Sequence, residues 1–111
     1  MAPAYLGEFE HLLLLAVLRL GAEAYAADVA RELEVRAGRG VSRGALYTSL
    51  DRLENKGLLR WKTAPGTALR DGLPRRAYNV TPAGLAALRA SRGVLQRMWR
   101  GLEDVLKEPS S

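Results

Sequence analysis

The amino-acid sequence predicts a mainly α-helical fold with a small β-hairpin, in the α+β class. Three short helical repeats come first, and a glycine follows each of them. Two segments with weak strand character come next, separated by a stretch rich in glycine and proline, and a long helical repeat closes the chain. A chain of 111 residues has the length of one domain with a core of modest size.

The first two helices are predicted from apolar residues that recur three and four positions apart. The first helix covers residues 7–20, and Gly21 follows it as a stop signal. The second covers residues 24–37, has a narrow stripe of mostly small apolar side chains, and ends at Gly38. Since only a short connection leads to the next repeat, the second and third helices lie within the reach of a helix-turn-helix.

The third helix lies within residues 41–59 and has two distinct sides. Ser42 is its predicted N-cap, and Gly57 is its predicted left-handed stop. One side is apolar and consists of Leu46, Leu50 and Leu53. The other side is polar without the alternating Glu and Lys of an ordinary solvated helix, and consists of Arg43, Tyr47, Thr48, Asp51 and Arg52. We expect such a face to contact a polar partner, as a DNA-recognition helix does.

After the third helix, residues 58–63 and 75–81 predict two strands. The loop between them, residues 64–74, is too long for a tight hairpin turn and is flanked by the cations Lys62, Arg70, Arg75 and Arg76. A basic loop beside a recognition helix is typical of a wing that contacts the phosphate backbone or a minor groove. An ordinary solvated hairpin tip is the alternative. With the wing, residues 1–81 are predicted to form a winged helix-turn-helix domain.

The last predicted element is a long helix in residues 82–111, which starts at Thr81 and Pro82 and runs to about residue 107. About 26 helical residues at 1.5 Å each give a rod of about 39 Å, longer than a three-helix core covers. We therefore expect its second half to pair with a second copy of the chain, through Leu95, Met98, Trp99, Leu102, Val105 and Leu106. A monomer that folds this helix back on its own core is the alternative.

Composition restricts the function further. Residues 36–76 contain ten Lys and Arg against three Asp and Glu, a net charge of +7, so that the rest of a chain with net charge +5 carries −2. Cations concentrated in this way favour a polyanionic partner over a merely solubilising surface. The chain has no cysteine and one histidine, His11 within an apolar helix, so we expect neither an enzyme nor a metal site and no cofactor. No apolar run suits a membrane span or a signal peptide, and we expect a cytoplasmic protein.

The order and spacing of several residues resemble the PadR family of bacterial transcriptional regulators. Those residues are Ser42, Gly44, Leu46, Tyr47, Leu50, Leu53, Gly57 and Leu58, followed by Tyr78, Thr81, Pro82 and Gly84. The resemblance implies an N-terminal winged helix-turn-helix, a C-terminal dimerisation helix, and a repressor that a small-molecule or stress signal releases. The short C-terminal part resembles the small subgroup with a single dimerisation helix. Ala77 departs from the family, which often has an aromatic residue there.

The chemistry of the residues and the resemblance together predict two sites. The DNA-binding residues are Ser42, Arg43, Gly44, Tyr47, Thr48, Arg52, Lys62, Arg75 and Arg76. Trp99 resembles a family tryptophan that stacks flat ligands across the dimer, so that a small aromatic effector would lie against Phe9, Leu13, Leu95 and Trp99. Interface packing is the alternative role for Trp99.

The leading hypothesis is a sequence-specific, homodimeric repressor that binds double-stranded DNA at a palindromic operator and is released by a small-molecule effector. The alternative is a winged-helix module that binds protein and has no specific DNA binding. The basic charge around the third helix argues against that alternative.

Overall fold

The computed structural model describes residues 6–64 and 75–107, which form four α-helices and a two-stranded sheet. The elements in chain order are α1 (Glu8–Leu20), α2 (Ala26–Ala37), α3 (Arg43–Asn55), β1 (Leu59–Thr63), β2 (Arg76–Val80) and α4 (Pro82–Trp99). A single 3₁₀ turn, Gly21–Glu23, links α1 to α2. The mainly α-helical fold with a small hairpin, predicted from the sequence, is confirmed.

The helix ends follow local capping chemistry. The Ser42 Oγ accepts a hydrogen bond from the Ala45 N–H at 3.2 Å, and the Thr81 Oγ1 accepts one from the Gly84 N–H at 3.0 Å. Gly38 ends α2 in the left-handed conformation, with φ of +64°. Each cap satisfies backbone groups that a helix end would otherwise leave unpaired, which is why these positions could be predicted.

The core lies where α1, α2 and α3 meet the hairpin and the start of α4. Its largest fully buried side chains, each no more than 2% exposed, are Leu13, Leu14, Val17, Val29, Leu33, Leu50, Leu53, Leu59 and Tyr78. The first half of α4 adds Ala87 and Leu88 to the same cluster. The start of the C-terminal helix therefore packs as part of the winged-helix core.

The hairpin is attached to the helices through its second strand. Trp61 of β1 pairs with Tyr78 of β2 in the antiparallel register. The Tyr78 N–H also donates to the Ala24 carbonyl, just before α2, at 2.9 Å. This bond holds the hairpin beside the helix-turn-helix.

The start of α4 crosses the beginning of β1 at very close range. The Thr81 N–H donates to the Leu58 carbonyl at 3.1 Å, and the Thr81 hydroxyl donates to the Gly57 carbonyl at 2.7 Å. A Cβ on Gly84 would stand 2.2 Å from the Leu58 oxygen and 2.7 Å from the Val80 Cγ1. Glycine is therefore required at position 84 by packing.

The prediction that the last helix runs to about residue 107 is wrong. The helix ends at Trp99 after 18 residues, which span about 27 Å. Arg100 leaves the helical region and Gly101 has a φ of +87°. Glycine has a low helix propensity, and the residues that follow gain little from burial, since every residue from position 101 to 107 is exposed. Leu102, Val105 and Leu106 consequently lie on successive turns and not on the helix.

In the two described ranges, no helix combines the length and the apolar character needed to cross a membrane.

Candidate nucleic-acid interface

Helix α3 presents the polar face that the sequence predicts. Leu46, Leu50 and Leu53 are buried in the core, at 3%, 0% and 0% exposure. The opposite face is exposed at Arg43, Gly44, Thr48, Asp51 and Arg52, and Tyr47 is half-buried against the core. One short helix thus carries hydrogen-bonding groups of several kinds on a surface that another molecule can approach.

The first turn of α3 is an open helix N-terminus. The Ser42 hydroxyl is occupied by its cap to the Ala45 N–H, so Ser42 contributes by starting the helix. Gly44 has ordinary helical backbone, and apart from its chain neighbours and the backbone of its own helix no described atom lies within 4 Å of the place where its Cβ would stand. Packing within the chain therefore does not require glycine at position 44, in contrast to Gly84. The backbone of this turn is free to meet an anion directly.

Tyr78 of β2 is buried in the core. Its side chain is 2% exposed, and among the described residues its hydroxyl has no hydrogen-bond partner. Burial raises the pKa of the Tyr78 phenol, and the electrostatic effects of Tyr47 and Asp51 raise it further. The positive charge of Arg76 acts in the opposite direction and partly offsets the rise. The phenol therefore belongs to the core on which the apolar side of α3 packs, within electrostatic reach of Tyr47 and Asp51.

The predicted wing cations have different environments. Lys62 and Arg76 are exposed, and the Arg76 guanidinium lies 4.1 Å from the centre of the Trp61 ring. Arg75, by contrast, lies 3.8 Å from the centre of the Tyr25 ring and 3.5 Å from the Asp28 carboxylate. Its charge is thus partly matched within the chain, by a carboxylate that also lies 3.9 Å from the Arg31 guanidinium. The prediction of phosphate contact did not anticipate this pairing. Residues 65–74, the predicted loop tip with Arg70, lie outside the described residues.

Ion pairs join α1 to the helix-turn-helix. The Lys56 ammonium lies 2.7 Å from the Glu10 carboxylate, and Arg39 pairs with Glu8. Burial by itself would raise the pKa of Glu10, but the hydrogen bonds from Lys56 and the Gly7 N–H, with the charges of Lys56 and Arg52, lower it. Several cations of the basic segment therefore form ion pairs within the chain. Arg43 and Lys62 form no salt bridge with any described residue.

A second feature is an apolar groove of about 540 Å³ between α1 and α4. Leu12, Leu15, Val94 and Leu95 line it, with the His11 ring in it, 3.0 Å from the Ser91 hydroxyl. His11 is therefore a hydrogen-bonded rim residue. Of the four residues predicted to surround an effector, Leu95 lines this groove.

The other predicted effector residues do not line this groove. Leu13 is 0% exposed because it points into the core. Phe9 lies outside the groove, and the Arg39 guanidinium stands 5.5 Å from the centre of its ring. Trp99 does not line the groove, and its side chain is 41% exposed at the end of α4.

The apolar residues predicted to form a dimer interface are all exposed. Leu95, Met98 and Leu106 have exposures of 52%, 71% and 68%. The face of α4 that is buried at Ala87 and Leu88 continues past the end of the core to Leu95 and Met98.

The sequence reasoning missed further exposed apolar residues: Leu15, Leu18, Leu85 and Val94. The four consecutive leucines at positions 12–15 carried a signal for them. Four successive positions of a helix spread around most of its circumference, so one of these leucines had to face away from the core.

In the described part of the chain, no three His, Cys, Asp or Glu residues are grouped in a way that could hold a metal ion.

A family model described as "Transcriptional regulator PadR-like family" matches residues 14–90. That range includes the helix-turn-helix, the hairpin and the first half of α4. The chain belongs to the PadR-like family of transcriptional regulators. The family consists of transcriptional regulators and not of enzymes, and its winged-helix members bind DNA.

Individual relatives support this assignment. The chain is 42% identical over 78 residues to Transcriptional regulator Rv3488 of Mycobacterium tuberculosis, which covers 70% of this chain and 68% of that protein. It is similar in structure to a PadR-like transcription factor of Bacteroides fragilis, with 31% identity, a TM-score of 0.59, and coverage of 88% and 85%. The winged-helix DNA-binding protein F93 from STIV shares the fold at 18% identity, with a TM-score of 0.67 and coverage of 86% and 95%.

Proposed function

We propose that this PadR-like regulator is a homodimeric repressor that binds a palindromic operator and is released by a small aromatic effector. The observation that carries the proposal is the polar face of α3, which is exposed and opens on an unobstructed helix N-terminus at Gly44. In a helix-turn-helix, the first residues of the recognition helix are the ones that reach base edges in the major groove.

Four polar residues of α3 have roles suited to their chemistry. Arg43 is exposed in the first turn and has the planar donor set that binds guanine or phosphate through two hydrogen bonds. Tyr47 and Thr48 lie one turn further on and would donate hydroxyl hydrogen bonds to phosphate or a base edge. Arg52 lies near the end of the helix, and on the wing Lys62 and Arg76 would contact the phosphate backbone.

A gel mobility-shift titration with the DNA upstream of the protein's own gene tests this function. We expect a sequence-dependent shift that weakens as salt rises, because each neutralised phosphate releases a condensed counterion. Arg43→Ala should weaken the binding by about tenfold or more, and the loss of one phosphate contact in each protomer should lower the salt slope by about 1.8. Tyr47→Phe should weaken it by several-fold, with the same thermal midpoint as the wild type. Absence of any salt-sensitive, sequence-dependent shift would reject the repressor and favour a winged-helix module that binds protein.

The homodimer is proposed from the apolar face that continues along α4 beyond the core. Leu15 on α1 lines one groove with Val94 and Leu95 on α4, and the exposed Met98 lies one turn beyond them on α4; a second copy would cover this apolar surface. Trp99, Leu102, Val105 and Leu106 would extend it. Two copies related by a two-fold axis would place two α3 helices on the two halves of a palindrome.

Sedimentation velocity tests the dimer with a matched pair of variants. Met98→Asp places a charge on the apolar face and should give a monomer at concentrations where the wild type is dimeric. Gln96→Asp adds the same charge on the opposite side of α4 and should leave the dimer intact. A dimeric Met98→Asp protein would refute this interface.

The effector site is proposed at the end of α4, where Trp99 exposes an aromatic face near Leu95. A ligand there would act on DNA binding only if its affinity differs between the DNA-bound and free arrangements of the dimer. In a Trp61→Phe protein, Trp99 is the remaining tryptophan of the two in the chain. Its fluorescence should quench saturably on adding a planar aromatic cation. Calorimetric binding that survives Trp99→Ala would reject Trp99 as a ligand contact.

A further inference from the structure

Three side chains from two distant segments of the chain meet at the base of the wing. The Arg75 guanidinium lies 3.8 Å from the centre of the Tyr25 ring, and its Nη2 lies 3.5 Å from an Asp28 carboxylate oxygen. The carboxylate is partly buried, with 30% of the side chain exposed. One cation therefore contacts both a ring and a carboxylate on the same neighbouring element.

The contacted element is the start of α2. Tyr25 is the residue that precedes α2, and Asp28 stands in its first turn. Arg75 immediately precedes β2, so the contact joins the wing to the helix-turn-helix across 47 positions of sequence. We call the group of Tyr25, Asp28 and Arg75 the wing clamp.

Two backbone hydrogen bonds flank the wing clamp, one within the hairpin and one between the hairpin and the residue before Tyr25. The Arg75 carbonyl accepts from the Ala64 N–H at 2.9 Å, which closes the hairpin one step beyond the last paired residues. The Tyr78 N–H donates to the Ala24 carbonyl, next to Tyr25, at 2.9 Å. The side chain of Arg75 thus reinforces a junction that the main chain also makes.

Arg75 and Arg76 are consecutive but point to opposite sides, as successive residues of a strand do. Arg76 lies over Trp61, whereas Arg75 lies against Tyr25 and Asp28. The two arginines therefore have different functions available to them. A guanidinium already placed beside a carboxylate gains less from a phosphate, because the phosphate must compete with that carboxylate.

We infer that Arg75 is a positioning residue: the wing clamp sets the angle between the wing and the helix-turn-helix, and Arg75 does not itself neutralise a DNA phosphate. This inference rests on the proposed DNA-reading function. Because α2 packs against α3, an interaction that holds the wing to α2 also holds it relative to α3. The wing cations Lys62 and Arg76 would then meet the backbone at a set distance from the bases that α3 reads.

The two roles for Arg75 predict opposite effects of Asp28→Asn on operator affinity. If Asp28 helps to hold the wing, the loss of its charge should weaken binding by about three- to tenfold, as for the loss of a partly exposed ion pair. If Arg75 is instead a phosphate contact, Asp28→Asn should tighten binding, because it removes a competing anion and a negative charge. Glu32→Gln is the matched control, since Glu32 is another α2 carboxylate and its ion pair with Arg36 stays within the helix. This control should bind as the wild type does or slightly tighter.

A double-mutant cycle gives the second readout. Arg75→Gln and Asp28→Asn should each weaken binding, and the double variant should be no weaker than the weaker single variant, since both changes remove the same junction. Arg75→Gln should leave the salt slope unchanged, whereas removal of a phosphate contact from each of the two protomers would lower it by about 1.8. A tighter Asp28→Asn protein, or a lowered slope for Arg75→Gln, would overturn the inference.

Hydrogen exchange in the free protein separates the wing clamp from the proposed function. Both variants should speed exchange of the Ala64 and Tyr78 amides at the wing base by about three- to tenfold and leave that of Leu50 in the core unchanged. Unchanged Ala64 and Tyr78 protection would show that the wing clamp does not hold the wing. A wild type that fails to shift DNA would reject the proposed function, and the positioning role with it, while the exchange rates would still decide whether the junction is held.

Discussion

Replacing Gly44 with alanine tests the reading role of α3, because the expected effects on stability and on DNA binding have opposite signs. Gly44 is the second residue of α3 and its backbone is helical. Apart from its chain neighbours and the backbone of α3, no described atom lies within 4 Å of the position of an added Cβ. The methyl group would therefore meet no steric obstacle within the chain. It would, however, stand on the surface that we assign to the DNA backbone.

The effect on stability follows from helix propensity. Alanine is favoured over glycine in a helix by about 0.5–1 kcal/mol, because glycine loses more backbone freedom on folding. For a domain of this size, that gain corresponds to a rise in the thermal midpoint of about 2–6 °C. Differential scanning calorimetry of the free protein would measure it.

The effect on DNA binding follows from the distance that a methyl group imposes. A hydrogen bond from a backbone N–H to a phosphate is charge-assisted, and its loss costs about 1.5–3 kcal/mol, or about tenfold to over a hundredfold in affinity. No cation is removed, so the salt slope should stay at the wild-type value. A mobility-shift titration over several salt concentrations would measure both quantities.

Gly93→Ala is the matched control. Gly93 lies within α4, and the nearest atom to its added Cβ is the end of the Arg97 side chain at 3.5 Å. This variant should gain similar stability and bind the operator as the wild type does. If Gly44→Ala also bound as the wild type does, the backbone of the first turn of α3 would not approach the DNA.

Three further changes test the fold. Lys56→Met removes the partner that lowers the pKa of Glu10, so it should cost about 1 kcal/mol of unfolding free energy at pH 7. Because the pairing lowers the pKa of Glu10 below its ordinary value of 4.5, it stabilises the folded protein above that value. The difference in unfolding free energy between wild type and variant should therefore narrow as the pH falls below 4.5 through the lowered folded-state pKa, and a pH-independent difference would contradict the pairing. Gly84→Ala brings a methyl group onto the Leu58 carbonyl and should cost about 3 kcal/mol in urea unfolding, and a wild-type midpoint would refute that close approach. Tyr78→Phe removes a buried hydroxyl and should raise the unfolding free energy by about 1 kcal/mol, whereas a loss would reveal a hydrogen bond to that group.

The helix starts and stops were predictable because they depend on residues close together in the chain. Ser42 and Thr81 each accept from an N–H three residues later, and Gly38 ends α2 through its own backbone conformation. The end of α4 was mispredicted for the complementary reason. The apolar spacing continues past Gly101, but spacing does not show whether a surface exists for those residues to pack against.

The environments of the site residues were less predictable. Helical periodicity places Phe9 and Leu13 on α1 but does not say which neighbour covers each side, and the fold turned both away from the α1–α4 groove. Similarly, Arg75 and Arg76 are equivalent as a pair of adjacent cations in the sequence. They differ in the structure only because α2 lies beside the hairpin and brings Asp28 and Tyr25 into contact with Arg75.

The sequence by itself determined the helices and strands, the polar face of α3, the concentration of basic charge and the family, because each depends on residue types at short spacings. The tertiary structure decided which cations are occupied, which apolar residues remain uncovered and where glycine is required by packing. These outcomes depend on contacts between distant positions, such as Arg75 with Asp28, 47 residues apart, and His11 with Ser91, 80 apart. Such contacts are set by how the elements pack together, and local residue patterns carry little information about them.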